Sequence, residues 1–362
     1  MFRKKIPWMI LFLVLMVCSI WAVVSRSGSY SPTLLRETLC NANPWWLVAA
    51  VVGMFCNVLF EGAALDFLIK ALTKTDDGHG HPIHPHGLLY SAADIYFSAI
   101  TPSASAGQPA SAFFMRRDGI PVAQSAVILV LNMLLYTGAL VLVGALGFML
   151  CPDIFYGLDT LAQILILIGF IFLLGLCTIF VLVLKKEQWV EHMAIAMISL
   201  GAKLHLIRHK QSKIDKVELA IRQYKTCSDL IHKNKSTIAV AFLFNFLQRL
   251  ALVSTTVLVY LAFDGSVSNL AEVTGVQCLV LVGVYSLPIP GGMGVADYLL
   301  ISGLSQIEDV VSPANLELIS RGISFYSCIA LTIVIVVVGY FLQKKRMRRR
   351  HEAEQSTTSS EP

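Results

Sequence analysis

Six uninterrupted apolar runs restrict this chain to folds that can exist in lipid. Each is at least about 18 residues long, the length that an α-helix needs to cross the hydrocarbon of a bilayer. They lie at Pro7–Val24, Trp45–Ile69, Pro121–Leu150, Leu161–Leu184, Thr237–Phe263 and Ile323–Leu342. With 56% hydrophobic and 14% charged residues, the composition also lies outside the range of ordinary soluble domains. We therefore predict an all-α polytopic membrane protein with about six full spans.

Two further apolar stretches are interrupted by turn-forming residues. Leu88–Ile100 is followed by the Pro/Ser/Gly-containing turn Thr101–Gly107, and Val273–Leu304 contains the Pro/Gly-rich turn Pro288–Gly294. Proline and glycine interrupt helices because proline lacks an N–H donor and glycine tolerates non-helical dihedral angles. We call these two stretches, with their turns, the first and second broken segments.

The distribution of Lys and Arg predicts which side of the membrane each loop occupies. Basic residues in short loops collect on the cytoplasmic side, and the segment 185–236 contains eleven of them by sequence. We predict that this segment is a basic, helical cytoplasmic loop. Arg3, Lys4 and Lys5 precede the first apolar run without a following small-residue cleavage site, which favours an uncleaved signal anchor. Both termini are then cytoplasmic, in a plasma membrane of bacterial type.

We count the full spans between loops whose side of the membrane is known from their basic residues. This count places both ends of each broken segment on the same side of the membrane. The first begins and ends inside and the second begins and ends outside, so we predict two oppositely oriented re-entrant or broken hairpins. They would be arranged as an inverted repeat. All Lys and Arg except Arg26, Arg36, Arg249 and Arg321 then fall on the cytoplasmic side. The predicted integral membrane domain is 1–343, and 344–362 is expected to be a basic, then polar, unstructured tail.

Non-helical backbone at membrane depth must be buried in protein or line a wet cavity, because lipid cannot satisfy its N–H and C=O groups. Opposed, Gly/Pro-interrupted segments therefore indicate a substrate path. Hydroxyl and amide side chains, bare glycine backbone and free helix N-termini could bind an anionic headgroup there. The candidate path residues are Thr101, Pro102, Ser103, Ser105, Gly107, Gln108, Pro109, Arg116, Pro288, Pro290, Gly291, Gly292, Gly294 and Asp297. The alternative is that these glycines and prolines only permit tight helix crossings.

Ionisable residues inside apolar runs are functional candidates, because each one costs free energy to place in lipid. Besides Asp297, they are Glu61, Asp66, Asp94, Arg249 and Arg321. Asp66 could instead lie at the cytoplasmic interface, and Asp297 could cap the helix that restarts after the turn. Either arginine could pair with Asp297 or Glu61, or could hold a lipid phosphate with its planar fork.

A histidine-rich stretch is the remaining candidate binding site. His79, His81, His84 and His86 are close enough in sequence to bind Zn²⁺ or Ni²⁺. A solvated linker also accounts for them, since the stretch contains Pro and Gly throughout. We expect no cofactor, and the chain has no Walker loop, zinc-protease or nucleophile-elbow motif.

Two signatures resemble a known family. Ile100–Ala110 with Met115–Pro121, and then Pro288–Asp297, are similar to the two signatures of the flippase-like, lysylphosphatidylglycerol-synthase transmembrane-region proteins. The similarity covers about residues 5–342, in matching order and spacing. Gln108 and Asp297 depart from it, because many members have Glu at each position. The chain ends about twenty residues after the last predicted span, so we expect no aminoacyl-transfer domain and no enzyme activity.

The resemblance implies movement of a polar lipid between leaflets of the plasma membrane. Expected partners are membrane lipids, either anionic or aminoacylated phospholipid or a lipid-linked glycan. A separate lipid-modifying enzyme and further copies of the chain are compatible with this, and nucleic acid is not expected. The alternatives are a membrane enzyme that modifies lipid headgroups, with Asp94, Asp297 or the histidines catalytic, and a small-solute transporter.

Overall fold

The structure is a computed structural model that describes residues 42–73, 86–101, 106–185, 233–287, 292, 294–308, 310 and 313–358. Several predictions fall outside these residues. They are the first apolar run, most of the basic loop, Pro102, Ser103, Ser105, His79, His81, His84, Pro288, Pro290 and Gly291.

All regular secondary structure in the described part of the chain is helical. We number the α-helices in chain order. They are α1 Pro44–Leu72, α2 Gly87–Ile100, α3 Gly107–Arg117, α4 Val122–Leu150, α5 Pro152–Gly157, α6 Thr160–Lys185, α7 Lys235–Ala262, α8 Leu270–Gly283, α9 Val295–Leu304, α10 Pro313–Arg321 and α11 Cys328–Thr358. Short 3₁₀ turns flank α8 at Val267–Asn269 and Val284–Ser286. A π-helical segment, Gly322–Ser327, joins α10 to α11.

Six helical segments among the described residues are long and apolar enough to cross a bilayer. They are Pro44–Leu72, Val122–Leu150, Thr160–Leu184, Lys235–Ala262, Val267–Ser286 and Pro313–Arg346. Large apolar side chains such as Ile171, 68% exposed, lie on their outer surfaces. Apolar residues on exposed faces are expected of helices that contact lipid. The chain is therefore an all-α, multi-pass membrane protein.

The first broken segment and the residues that follow it to Arg117 form an antiparallel pair of short helices. Helix α2 has 14 residues and α3 has 11, so neither approaches the roughly 20 residues of a transmembrane helix. Ser111 Oγ donates to the Tyr90 carbonyl at 2.8 Å. Thr101 accepts a hydrogen bond from the Ala106 N–H at 3.2 Å, while its own hydroxyl donates to Phe97 O at 2.6 Å. Thr101 thus ties the end of α2 to the start of α3.

The second broken segment has unequal arms. Its first arm, Val267–Ser286, is itself of membrane-spanning length, whereas α9 has only 10 residues. The two run antiparallel, since a Cβ on Gly303 would meet Val276 and one on Gly283 would meet Leu299. We expected a single broken hairpin here, and the difference is that one arm is a complete apolar helix. From which side of the membrane either broken segment enters stays a prediction.

The core divides into two main apolar clusters, each built around one broken segment. One cluster contains α1, α2, α3 and α4 side chains, with Tyr90 and Met115 fully buried. The other contains side chains from α5, α6, α8, α9 and α10, with Val273 and Leu304 fully buried. Helix α7 packs along α1, where Phe244 lies 5.5 Å from Phe67 between ring centroids.

The last helix continues well past its apolar part. Helix α11 extends to Thr358, so most of the segment 344–362, which we expected to be unstructured, is helical. Its apolar residues end near Leu342 and are followed by Lys344, Lys345 and Arg346. A helix with such a basic end places its charges beyond the apolar part that lipid covers.

Candidate functional site

Polar side chains from α1, α2, α3, α4, α7 and the second broken segment form a chain of contacts inside the helical bundle. We call them the buried polar cluster. Its members are Glu61, Asp94, Gln108, Tyr136, Gln248, Arg249 and Tyr285. Since polar groups are costly to bury without partners, this many in one place is unusual for a protein interior in lipid.

A pair of carboxyl groups lies at the centre of the cluster. Glu61, on α1, shares a hydrogen bond with Asp94, on α2, and Glu61 is only 4% exposed. Two carboxyl groups can hydrogen-bond to each other only if one of them carries a proton. The pair therefore joins the first broken segment to α1 through a protonated group.

An amide side chain donates to one oxygen of each carboxyl group. Gln248 Nε2 donates to Glu61 Oε2 at 2.8 Å, and Gln108 Nε2 donates to Asp94 Oδ2 at 2.7 Å. A glutamate at this position would be an acceptor where Gln108 is a donor. The Gln108 amide therefore stabilises Asp94 as a carboxylate, whereas a third carboxyl group at this position would repel it.

Gly107, the first residue of α3, lets the two short helices approach closely enough for these contacts. A Cβ built on it would lie 2.0 Å from Ser98 Oγ, 2.1 Å from Asp94 Oδ1 and 2.7 Å from the Asp94 carbonyl oxygen. No side chain fits at such separations. Glycine at this position is thus required for the placement of Asp94.

Arg249 on α7 supplies the positive charge of the cluster. Its guanidinium carbon lies 3.9 Å above the centre of the Tyr136 ring, a cation–π contact. It also interacts electrostatically with Glu61 and Tyr285, and the Tyr136 and Tyr285 hydroxyls contact each other. Arg249 is 5% exposed, so its charge is held almost wholly inside the protein.

Some polar atoms of the cluster have no hydrogen-bond partner within the described part of the structure. They include Arg249 Nε, Gln248 Oε1 and Gln108 Oε1. Buried polar groups are nearly always paired, and an unpaired one carries a desolvation penalty of about 1–3 kcal/mol. Both a donor and acceptors are therefore available to a polar ligand.

Asp297 and Arg321 form a second polar contact, at the second broken segment. Gly294 has a φ of 83°, a conformation that glycine adopts readily, and its N–H donates to Asp297 Oδ2 at 3.0 Å. Asp297 therefore caps the restarting helix α9. Its other oxygen contacts Arg321 on α10, whose guanidinium also lies 3.6 Å from Glu317. Gly292, with a φ of 62°, packs directly on Val284.

A second contact of α9 involves a residue outside the membrane-spanning segments. The Tyr298 hydroxyl donates a hydrogen bond to Asp159, which precedes α6. This hydrogen bond lowers the pKa of Asp159, because it stabilises the carboxylate form. The contact anchors α9 to the beginning of α6.

The remaining candidate residues lie away from the buried polar cluster. Asp66 Oδ1 accepts the Gly87 N–H at 2.7 Å and so satisfies an N–H at the start of α2. Arg116 and Pro109 are exposed on α3. His86 Nδ1 lies 2.9 Å from Asp118, and its other nitrogen contacts Arg346.

His86 also lines a groove of about 440 Å³ together with Asp66, Arg346 and apolar residues of α2 and α11. It is the one member of the histidine-rich stretch within the described residues.

The neutral members of the cluster were not among the residues singled out from the sequence. Gln248, Tyr136 and Tyr285 carry no formal charge, and a search for ionisable residues in apolar runs passes over them. A usable signal exists, because Asn245, Gln248 and Arg249 recur at helical spacing on α7. Asn245 donates to Asn132 on α4 at 3.1 Å, one turn from Gln248.

Broken helices and a buried polar cluster inside a helical membrane protein are typical of the class of proteins that handle polar substrates within lipid. More specifically, this chain belongs to the family described as the lysylphosphatidylglycerol synthase transmembrane region, whose model matches residues 8–332. The family relates the chain to the handling of membrane lipids. No curated protein and no solved structure matches it.

Proposed function

We propose that this protein moves a polar or charged lipid between the leaflets of the plasma membrane, without altering it chemically. The observation that carries the proposal is the buried polar cluster. An isolated ion pays on the order of tens of kcal/mol to enter a medium of low dielectric constant. A headgroup therefore needs polar groups along its way that replace its water.

The members of the cluster suit a phosphate-bearing headgroup. Arg249 can bind phosphate oxygens with two N–H groups at once, and its Nε has no partner within the described residues. The hydroxyls of Tyr136 and Tyr285 are further donors, while Gln248 Oε1 is an acceptor for hydroxyl or ammonium groups of the headgroup. The acyl chains would remain in lipid along the apolar outer faces of the helices.

The two broken segments supply the path in this proposal. Asp94 belongs to the first broken segment and Tyr285 to the second. Glu61 and Arg249 lie between them, so the cluster connects the two segments. Rearrangement of short helices requires fewer broken contacts than movement of complete spans. We propose that the cytoplasmic side carries both termini, following the distribution of basic residues.

The test is a leaflet assay in liposomes that contain the purified protein. Fluorescent phosphatidylglycerol, aminoacylated phosphatidylglycerol and a lipid-linked glycan are compared, and an impermeant quencher reports the fraction in the outer leaflet. We expect the protein to accelerate exchange of at least one of them. Arg249→Lys keeps the charge but loses the planar fork, and we expect it to slow exchange at least about tenfold, equivalent to about 1.4 kcal/mol.

Lys344→Leu is the matched control, since it removes an exposed cation near the end of the apolar part of α11. It should exchange lipid at the wild-type rate. Failure of the wild-type protein to move any of the three lipids would contradict the proposal. Equal rates of lipid exchange for Arg249→Lys and wild type would show that the lipid does not pass through the buried polar cluster. A covalently altered lipid recovered from the liposomes would instead identify an enzyme.

A further inference from the structure

The charges of the buried polar cluster balance only if the carboxyl pair holds one proton. Its formal charges come from Glu61, Asp94 and Arg249. With one proton on the pair, one carboxylate faces one guanidinium and the cluster is neutral. Without it the cluster has a net charge of −1 in a region where unbalanced charge is costly. The hydrogen bond between the two carboxyl groups requires the same single proton.

No other group in the cluster can supply this hydrogen. The Gln248 and Gln108 amides donate to Glu61 Oε2 and Asp94 Oδ2, and Ser98 Oγ donates to Asp94 Oδ1 at 3.3 Å. Each of these bonds joins one carboxyl group to an amide or a hydroxyl, so none of them supplies the hydrogen between the two carboxyl groups. Besides Asp94 and Arg249, the titratable groups that interact electrostatically with Glu61 are Tyr285 in the second broken segment and Cys328 at the start of α11. A phenol and a thiol add no formal charge to this count.

A ligand site adjoins the pair. Arg249 Nε and Gln248 Oε1 both belong to side chains at most 5% exposed, and neither atom has a partner among the described residues. Gln248 contacts Glu61 directly and Arg249 interacts with Glu61 electrostatically. A ligand bound to these atoms would therefore change the electrostatic environment of the pair.

We propose that the Glu61–Asp94 pair is a proton-binding site coupled to an anionic phosphate headgroup at Arg249. This rests on the proposed function, because it assigns the headgroup to the same cluster. When a phosphate of charge −1 binds Arg249, it neutralises the guanidinium and leaves the remaining carboxylate without a counter-charge. That carboxylate then takes up a second proton from water, and the cluster is neutral again. Departure of the headgroup releases the proton.

The consequence is that headgroup and proton move together. A lipid that enters the cluster from one side with a proton and leaves on the other carries that proton across. A proton gradient would thus drive the lipid in the same direction. The second proton also weakens the Glu61–Asp94 hydrogen bond between α1 and α2. In the resting pair the acceptor is a charged carboxylate, whereas after proton uptake both carboxyl groups are neutral.

The experiment measures proton uptake when the full-length protein in detergent binds short-chain phosphatidylglycerol. A pH indicator in weakly buffered solution reports uptake, and infrared difference spectroscopy reports the carboxylic acid C=O band. We expect uptake of about one proton per protein and growth of the acid band, as linkage requires for a ligand that raises proton affinity. Short-chain diacylglycerol, which lacks the phosphate, should cause neither change.

Variants of the Glu61–Asp94 pair distinguish the proton that is present at rest from the proton that is taken up when the headgroup binds. Glu61→Gln and Asp94→Asn each leave one carboxyl group, so we expect loss of the resting acid band and retention of uptake of about one proton. The double variant should take up none, and Glu272→Gln, exposed on α8, should behave as wild type. Each single substitution keeps the shape of the side chain. The single variants therefore still test the acid band and the proton uptake if the double variant fails to fold.

The outcomes distinguish this inference from the proposed function. Lipid exchange in liposomes without proton uptake on binding would overturn the inference and leave the proposed function intact. Proton uptake on binding without any lipid exchange would leave the inference and overturn the proposed function. A resting acid band that persists in both single variants would place the proton elsewhere and overturn the inference.

Discussion

Replacing Gly107 by alanine tests whether close approach of α2 and α3 positions the carboxyl pair. The new Cβ would lie 2.0 Å from Ser98 Oγ, 2.1 Å from Asp94 Oδ1 and 2.7 Å from the Asp94 carbonyl oxygen. The two side-chain atoms can rotate away, but the carbonyl belongs to the backbone of α2. The helices must therefore separate, which weakens the Gln108–Asp94 and Ser111–Tyr90 hydrogen bonds.

The expected loss in free energy of unfolding is about 1–6 kcal/mol. Overpacking of a close-packed site costs about 1–3 kcal/mol, and each weakened hydrogen bond contributes about 0.5–1.5 kcal/mol. Alanine is better than glycine in a helix by up to about 1 kcal/mol, which offsets part of the loss. Titration with a denaturing detergent, followed by circular dichroism, measures the difference.

Gly175→Ala on α6 is the matched control. A Cβ on Gly175 meets nothing within 4 Å, so only the helix preference acts there, and the variant should be as stable as wild type or slightly more stable. If Gly107→Ala is as stable as Gly175→Ala, the close approach of α2 and α3 is wrong. Loss of the resting acid band in Gly107→Ala would connect this packing to the Glu61–Asp94 contact.

Three further contacts can be tested in the same way. Arg321→Ala and Asp297→Ala, combined in a double-mutant cycle of detergent unfolding, should give a coupling energy of about 0.5–3 kcal/mol, and a coupling near zero would contradict their pairing. Asp66→Ala removes the carboxylate at the start of α2 and should lower stability by about 0.5–2 kcal/mol, whereas no loss would show that water satisfies the helix end equally well. Because Tyr298 lowers the pKa of Asp159, their contact stabilises the fold above the ordinary pKa of an aspartate and is lost as pH falls through the lowered value. The melting-temperature difference between wild type and Tyr298→Phe should accordingly shrink with acidification, and a difference that grows would contradict this.

The helical class and most spans follow directly from the sequence because the bilayer imposes a length. Trp45–Ile69 is predicted as a span and α1 covers Pro44–Leu72, with similar agreement for the runs in α4, α6 and α7. The run Ile323–Leu342 begins in the π-helical segment and lies within the apolar helical segment Pro313–Arg346. Interruptions were also predictable, since Gly107 and Gly294 lie where helices restart. The first apolar run, Pro7–Val24, stays a prediction because it lies outside the described residues.

The partners of the ionisable groups could not be predicted, because they depend on which helix faces which. The sequence left open whether Arg249 and Arg321 pair with Glu61 or Asp297. The structure places Arg249 near Glu61, which is far away in the chain, and Arg321 against Asp297. Such contacts are determined by packing of helix faces, which hydropathy does not report.

Neutral polar residues were missed for a related reason. Gln248 carries no charge, so a search for ionisable residues passes over it although its amide is costly to bury without partners. Its importance comes from the contact with Glu61 at 2.8 Å. The unequal arms of the second broken segment were likewise hidden, since Val267–Asn269 is polar in part and extends the helix by a 3₁₀ turn.

The π-helical segment Gly322–Ser327 lies between Arg321 and α11. Successive residues of an α-helix are rotated by about 100°, and a π-helical turn contains an additional residue compared with an α-helical one. A turn that holds this additional residue completes about the same rotation as an α-helical turn. Deletion of Ile323 would therefore return the segment to α-helical geometry and leave Arg321 directed at Asp297. The π-helical segment can thus absorb a change of one residue in chain length without disconnecting α9 from α10.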